Sequence, residues 1–317
     1  MKCIQAFIET IHQHHFHLEV QMKHTKSLSI LILCIAIFSI IACCTGIFST
    51  NLQSTKSNYQ IHTFRNQLVT IQGSGLYKND SVSAVSQGIA QDYVTLFLAI
   101  PLLLISYLFV RRNSLKGKLL LTGTVGYFLY TYTSYTFLWM FNPLFLIYVL
   151  LMSMSFFTFI LLLLSIDRTN LKMSFQKKLP VRFLGGFQIC FACLLIMMWL
   201  KRILPSTFSD SVPYGLEHYT TLVIQGMDLG FIVPAAFLSG ILLIQKNEWG
   251  YLLTSVIIIK GVALSAAIVC MLIFQCLSGE VLPLEEVILF PLLCLFLCVC
   301  LYLLLKNIKP EFERSPS

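Results

Sequence analysis

Eight stretches of this chain run for about twenty residues each with almost no charge, which is the length a helix needs to cross the roughly 30 Å apolar core of a bilayer. They are Leu28–Phe48, Asp92–Val110, Leu119–Met140, Leu144–Ser165, Phe183–Leu200, Thr220–Ile244, Trp249–Phe274 and Val287–Leu305. In lipid each backbone donor and acceptor must be bonded within the segment, so apolar stretches of this length read as helices. A transmembrane barrel needs short alternating segments, and the chain has none. The composition agrees: 57% of the residues are hydrophobic and 11% are charged, where a soluble domain carries about 25% charged residues. The expected fold is therefore all-α, a polytopic transmembrane bundle of about eight spans.

Lys and Arg in the loops set the orientation. With both termini cytoplasmic, the inner side holds Lys2, Lys23, Lys26, Arg111, Arg112, Lys116, Lys118, Arg168, Lys172, Lys177, Lys178, Arg182, Lys246, Lys306, Lys309 and Arg314. The outer side holds Lys56, Arg65, Lys78, Lys201 and Arg202, the last two fitting the bias poorly. The formal charge of +8 is then a topology signal and an affinity for anionic lipid, with no nucleic-acid partner implied. The first apolar span follows 26 polar-to-mixed residues and is too long for a signal-peptide core, so it reads as a retained anchor in the cell membrane.

Residues 1–26 read as a cytoplasmic leader in which Ile4, Phe7, Ile11, Leu18 and Met22 give an amphipathic helix on the membrane surface. The transmembrane domain covers 27–317, with one large outer loop at 49–91. In that loop Asp80 or Ser81 can cap a helix whose Val82, Val85 and Ile89 share a face. That helix would lie along the outer surface and lead into the second span.

A weak internal repeat has a period of 133 residues. It places Pro101 on Pro234, Ser106 on Ser239, Gly117 on Gly250, Leu119-Leu120 on Leu252-Leu253, Asp92 on Gln225 and Tyr127 on Lys260. Such a repeat implies two parallel four-helix halves, an arrangement in which transporters place their site between the halves.

Two charges interrupt the apolar spans: Asp228 in the sixth and Lys260 in the seventh. Ionisable groups at membrane depth are costly and face a bundle interior, a partner or a water path. The tight turn Gln245–Glu248 makes these two spans neighbours, so the carboxylate and the ammonium are expected at similar depth. They read either as a solute, ion or proton site or as a structural ion pair, and breaking such a pair would strand a buried charge. The third span is rich in hydroxyls. Tyr127, Thr131 and Ser134 share one face, with Tyr130 beside it, and this face either lines a hydrated cavity or bonds neighbouring helices. Asp92 and Asn142 lie at outer ends of spans, where they read as rim residues of a vestibule or as end caps. The candidate ligand-binding set is thus Asp228, Lys260, Tyr127, Tyr130, Asp92 and Asn142.

Other chemistry finds less support. The tract His12-Gln13-His14-His15-Phe16-His17 matches no defined metal-ligand spacing. Cys190-Phe-Ala-Cys193 has the C-x-x-C spacing but lies in an apolar span, without a thioredoxin-like context. No Walker loop, dinucleotide fingerprint, nucleophile elbow or zincin motif occurs, and no catalytic residue, metal or cofactor is indicated.

The segments Ala90-Gln-Asp-Tyr-Val, Asn142-Pro-Leu-Phe-Leu-Ile-Tyr148, Asp228-Leu-Gly-Phe-Ile-Val-Pro234, Trp249-Gly-Tyr and Lys260-Gly261 resemble those of a group of uncharacterised bacterial multi-pass proteins of about eight spans. The resemblance covers the second to the seventh span. It implies an inner-membrane protein and no activity. The leading functional expectation is a transport or small-polar-ligand-binding membrane protein. A structural or partner-binding subunit is the alternative, and a membrane-embedded lipid-modifying enzyme the third.

Overall fold

A computed structural model describes residues 26–49, 58–167, 171–209, 211–279 and 282–309. The leader expected over residues 1–26 lies outside the described residues except for Lys26. The described residues form eight long helices. We label them α1 (Lys26–Ser49), α2 (Val82–Arg111), α3 (Leu115–Leu138), α4 (Phe145–Ser165), α5 (Val181–Phe208), α6 (Val223–Ile244), α7 (Glu248–Leu277) and α8 (Leu284–Lys306). An antiparallel hairpin, β1 (Tyr59–His62) and β2 (Leu68–Ile71), lies between α1 and α2. The sequence reading did not anticipate it.

All but α3 are long and apolar enough to cross a membrane, and the chain is a multi-pass membrane protein. The α3 helix falls short in hydropathy because it is the interior element. It packs on α2, α4 and α7, and most of its residues are buried. Short turns join it to two apolar helices, so it runs the same distance between them. Its hydroxyls are also less polar than they look. Thr122, Thr124, Thr133 and Thr136 each donate to the carbonyl four residues earlier, which satisfies the side chain within its own helix.

The 133-residue repeat is present in the backbone. The α2–α3 and α6–α7 hairpins carry the same devices at corresponding positions. Thr95–Ala99 and Asp228–Ile232 are both π-helical turns, closed by bonds from Ile100 N–H to Thr95 C=O and from Val233 N–H to Asp228 C=O. A proline follows each turn, Pro101 or Pro234. A prolyl ring clashes with the carbonyl four residues back and cannot donate to it, and the wider turn relieves both problems. Each hairpin then turns through a residue of positive φ, Asn113 at 56° and Lys246 at 56°. Ser114 and Asn247 cap the next helices through the backbone N–H groups of Gly117 and Trp249. Gly117 and Gly250 sit where a Cβ would strike the end of the preceding helix.

The packing follows the repeat. Ile32, Ile35, Ala36 and Ala42 of α1 share a core with Ala99, Ile100 and Leu103 of α2, as α5 packs on α6. In the second pair, Gly185 and Gly240 bring two backbones together with no room for a side chain on either. The α3–α4 pair matches α7–α8, and α3 packs on α7 at the centre. Each π turn marks a change of partner. Before it, Val82–Val94 packs on α7 and Val223–Met227 on α3, across the repeat. After it, Ile100–Arg111 packs on α3 and Val233–Ile244 on α7, within the repeat. Val82–Val94 is therefore the buried first half of α2, where the sequence suggested a surface helix. Val85, Gly88, Gln91 and Asp92 face the bundle.

With eight helices, α1 and α8 both leave the bundle at the end opposite the hairpin. There Phe175 pairs with Ile308, and Gln176 N–H donates to Asn307 C=O. This ties the α4–α5 connection to the segment after α8.

Candidate functional site

Asp228 opens the π turn of α6 and is buried, 8% exposed. Its Oδ1 accepts the hydroxyl of Tyr130 on α3 at 2.8 Å, and its Oδ2 accepts the indole N–H of Trp199 on α5 at 3.0 Å. Lys260 on α7 is 9% exposed, and its Nζ stands 3.9 Å from the centroid of the Tyr130 ring. Tyr130 thus joins the two charges, giving its hydroxyl to the anion and its ring face to the cation. Among the described residues no ion-pair contact within 4.0 Å links Asp228 and Lys260; the one such contact is Lys201–Glu285 at 3.9 Å, between exposed side chains. The carboxylate and ammonium expected as a neutralising pair are grouped, but a tyrosine stands between them. A cation over an aromatic face gains about 2 kcal/mol when desolvated, less than a hydrogen-bonded carboxylate gives it.

The first half places a neutral set at the corresponding position. Thr95 opens the π turn of α2, and its Oγ1 lies 2.9 Å from the hydroxyl of Tyr127. In the repeat, Thr95 corresponds to Asp228 and Tyr127 to Lys260. Gln91 Nε2 donates to Tyr127 at 2.7 Å and to Thr131 at 3.0 Å, while its Oε1 is buried without a partner among the described residues. Tyr127 and Tyr130 leave the same stretch of α3 toward α2 and α6 respectively, so α3 carries both polar sets. Ser134 donates to the carbonyl of Thr131 and joins neither.

Asp92 belongs to a separate cluster. It is 1% exposed and accepts from Tyr77 at 2.8 Å and from Tyr135 at 3.0 Å. Tyr148 and Trp139 pack their rings on Tyr135, and Trp139 also packs on Tyr77. Gly46 of α1 lies directly against the carboxylate. Asn142 sits in the α3–α4 turn, where its Oδ1 accepts Leu144 N–H at 3.0 Å and its Nδ2 donates to Met140 C=O. Of the six candidates, Asp228, Tyr130 and Lys260 come together, Tyr127 lies in the matching neutral set, and Asp92 and Asn142 lie elsewhere.

The sequence reading missed Trp199, Thr95 and the tyrosines around Asp92. One signal was available for Trp199. An indole N–H inside a span needs an acceptor, and a carboxylate in the next span is the obvious one. Among the described residues no group of three or more His, Cys, Asp or Glu is placed to hold a metal. Cys190 and Cys193 point outward from α5. No protein-family model, curated protein or solved structure matches this chain.

Proposed function

We propose that this protein binds or transports a small polar solute or ion in the cell (inner, cytoplasmic) membrane, using the Asp228–Tyr130–Lys260 cluster. Both chain ends face the cytoplasm and the hairpin end faces outward, which puts most loop Lys and Arg inside. The resemblance to bacterial multi-pass proteins belongs to the same reading. One observation carries it: a 9% exposed ammonium that lies against the Tyr130 ring face, with the Asp228 carboxylate held by two other donors. A purely structural pair would gain most by direct contact. Here the ammonium keeps hydrogen-bond donors for a guest, and the carboxylate keeps acceptor capacity. The site also adjoins the α6 π turn, a feature that recurs at functional positions.

The test is a ligand-stability screen on the purified full-length protein beside Asp228→Asn and Lys260→Met. A solute or ion that raises the melting temperature of the wild type and of neither variant supports the reading. A solute that stabilises all three equally, or variants that keep every ligand response, would sink it.

A second reading, a partner-binding subunit, is favoured by the hairpin. Phe64, Leu68 and Tyr59 are 79%, 55% and 48% exposed, an apolar surface on an extramembrane element. Triple substitution to Ser would release a co-purifying partner under this reading, and would leave the solute response unchanged under the first.

A further inference from the structure

At the hairpin end the two halves are joined through side chains. Arg65, in the β1–β2 turn, donates to the carbonyls of Glu217, Tyr219 and Thr220 in the α5–α6 connection, at 3.4, 3.0 and 3.4 Å. His218 Nε2 lies 3.0 Å from Asn79 C=O. Beneath these contacts is Asp80, 1% exposed, which the sequence offered as a helix cap. Ser81 caps α2 instead, and Asp80 turns inward. Its Oδ1 accepts the Met140 N–H and the Tyr219 hydroxyl, both at 3.0 Å. One carboxyl oxygen therefore holds three connections: the segment before α2, the α3–α4 turn and the α5–α6 loop. Its Oδ2 is buried and has no partner among the described residues, and His218 Nδ1 is in the same position.

We propose that Asp80 is a proton-operated latch between the two halves, closed when the carboxyl carries a proton and released when it loses it. The geometry suits the acid form. Oδ1 makes both bonds as a carbonyl-type acceptor, and Oδ2 carries the proton. Sealing a neutral hydroxyl without a partner costs far less than sealing an unpaired negative charge. Burial outweighs the bonds from Met140 and Tyr219 and raises the Asp80 carboxyl to about 7. The titratable groups that face it are Tyr219 on the α5–α6 loop, which donates to it, and Tyr148 on α4, while Arg65 and His218 of the same loop layer are engaged with backbone carbonyls. None of them forms an ion pair with it among the described residues. The latch stands independently of the solute reading, because it concerns the extramembrane loops alone.

The sign follows from linkage. The closed form binds more protons than the open form between the ordinary carboxyl value of 3.8 and about 7, so closure weakens as pH rises through that window and is level above it. The experiment is hydrogen exchange of segments 73–81 and 211–222 in the full chain in lipid nanodiscs, corrected for intrinsic rates. Between pH about 5 and about 7, wild-type protection should fall roughly tenfold per unit. Asp80→Asn keeps the shape and the acceptor and should hold protection flat across that range. His218→Gln should retain the wild-type slope, which separates the carboxyl from the histidine's own titration. Tyr219→Phe removes a donor to the anion and should extend the falling region to higher pH, so this arm reports even if the Asn variant does not fold. Equal wild-type protection at both pH values, an unchanged slope in Asp80→Asn, or a flat profile in His218→Gln would overturn the latch.

Discussion

The α2–α3 and α6–α7 hairpins share a backbone and differ in charge. Both have the π turn, the proline, the positive-φ turn residue, the polar cap and the glycine. At the π turn and its partner position on the next helix, only the second hairpin carries a carboxyl and an amine. Thr95 and Tyr127 hydrogen-bond directly at 2.9 Å, whereas Asp228 and Lys260 reach each other through Tyr130. The fold needs the shared backbone features, and the neutral pair shows that it can be built without a charge at this position. The ions at the corresponding place add buried charge that the architecture does not require, which is why they mark the candidate site.

The sharpest way to break the comparison is to convert one half into the other. Lys260→Tyr alone should cost about 3–5 kcal/mol, because Asp228 then stays buried without a cation nearby. Adding Asp228→Thr should recover part of that loss, since the double variant reproduces the first half's neutral pair. Chemical unfolding of the purified proteins measures both, and a double variant less stable than the single would refute the correspondence.

The shared backbone gives the next effect. Gly117→Ala and Gly250→Ala each push a Cβ into the preceding helix, and overpacking of this kind costs about 1–3 kcal/mol. The two losses should be similar. A large difference in their unfolding midpoints would show that the hairpins are not mechanically equivalent.

Removing a tyrosine hydroxyl should then distinguish the halves. Tyr130→Phe deletes a bond to a carboxylate and should cost about 2 kcal/mol, while Tyr127→Phe deletes neutral bonds and should cost about 1 kcal/mol. Equal losses would mean that Asp228 is not ionised in the folded protein. A loss as small is expected at the caps, where Ser114→Ala and Asn247→Ala should each lower stability by about 1 kcal/mol. Thermal melts of the two variants should agree within error.

The two ends of the bundle differ as well. Opposite the hairpin, backbone bonds between Phe175–Gln176 and Asn307–Ile308 tie the connection after α4 to the segment after α8, and pH in the physiological range does not touch such bonds. At the hairpin end, a carboxyl raised to about 7 holds the halves. The proposed proton-sensitive contact therefore lies at the hairpin end, where Asp80 joins the loops.

The helices, their order and their alternation between two ends were legible in the sequence, because the hydrophobic stretches have the length that a bilayer demands. The repeat was legible too, through Pro101 and Pro234 and through Gly117 and Gly250, since proline and glycine mark positions where the backbone itself is constrained. Asp228 and Lys260 stood out because charge is rare in such stretches. Three things were decided only by tertiary packing. Tyr130 lies between the two charges, Asp92 departs to a tyrosine cluster of its own, and Asp80 turns inward while Ser81 takes the cap. Each depends on which faces of distant helices and loops meet, and hydropathy along the chain reports depth without reporting direction around a helix axis.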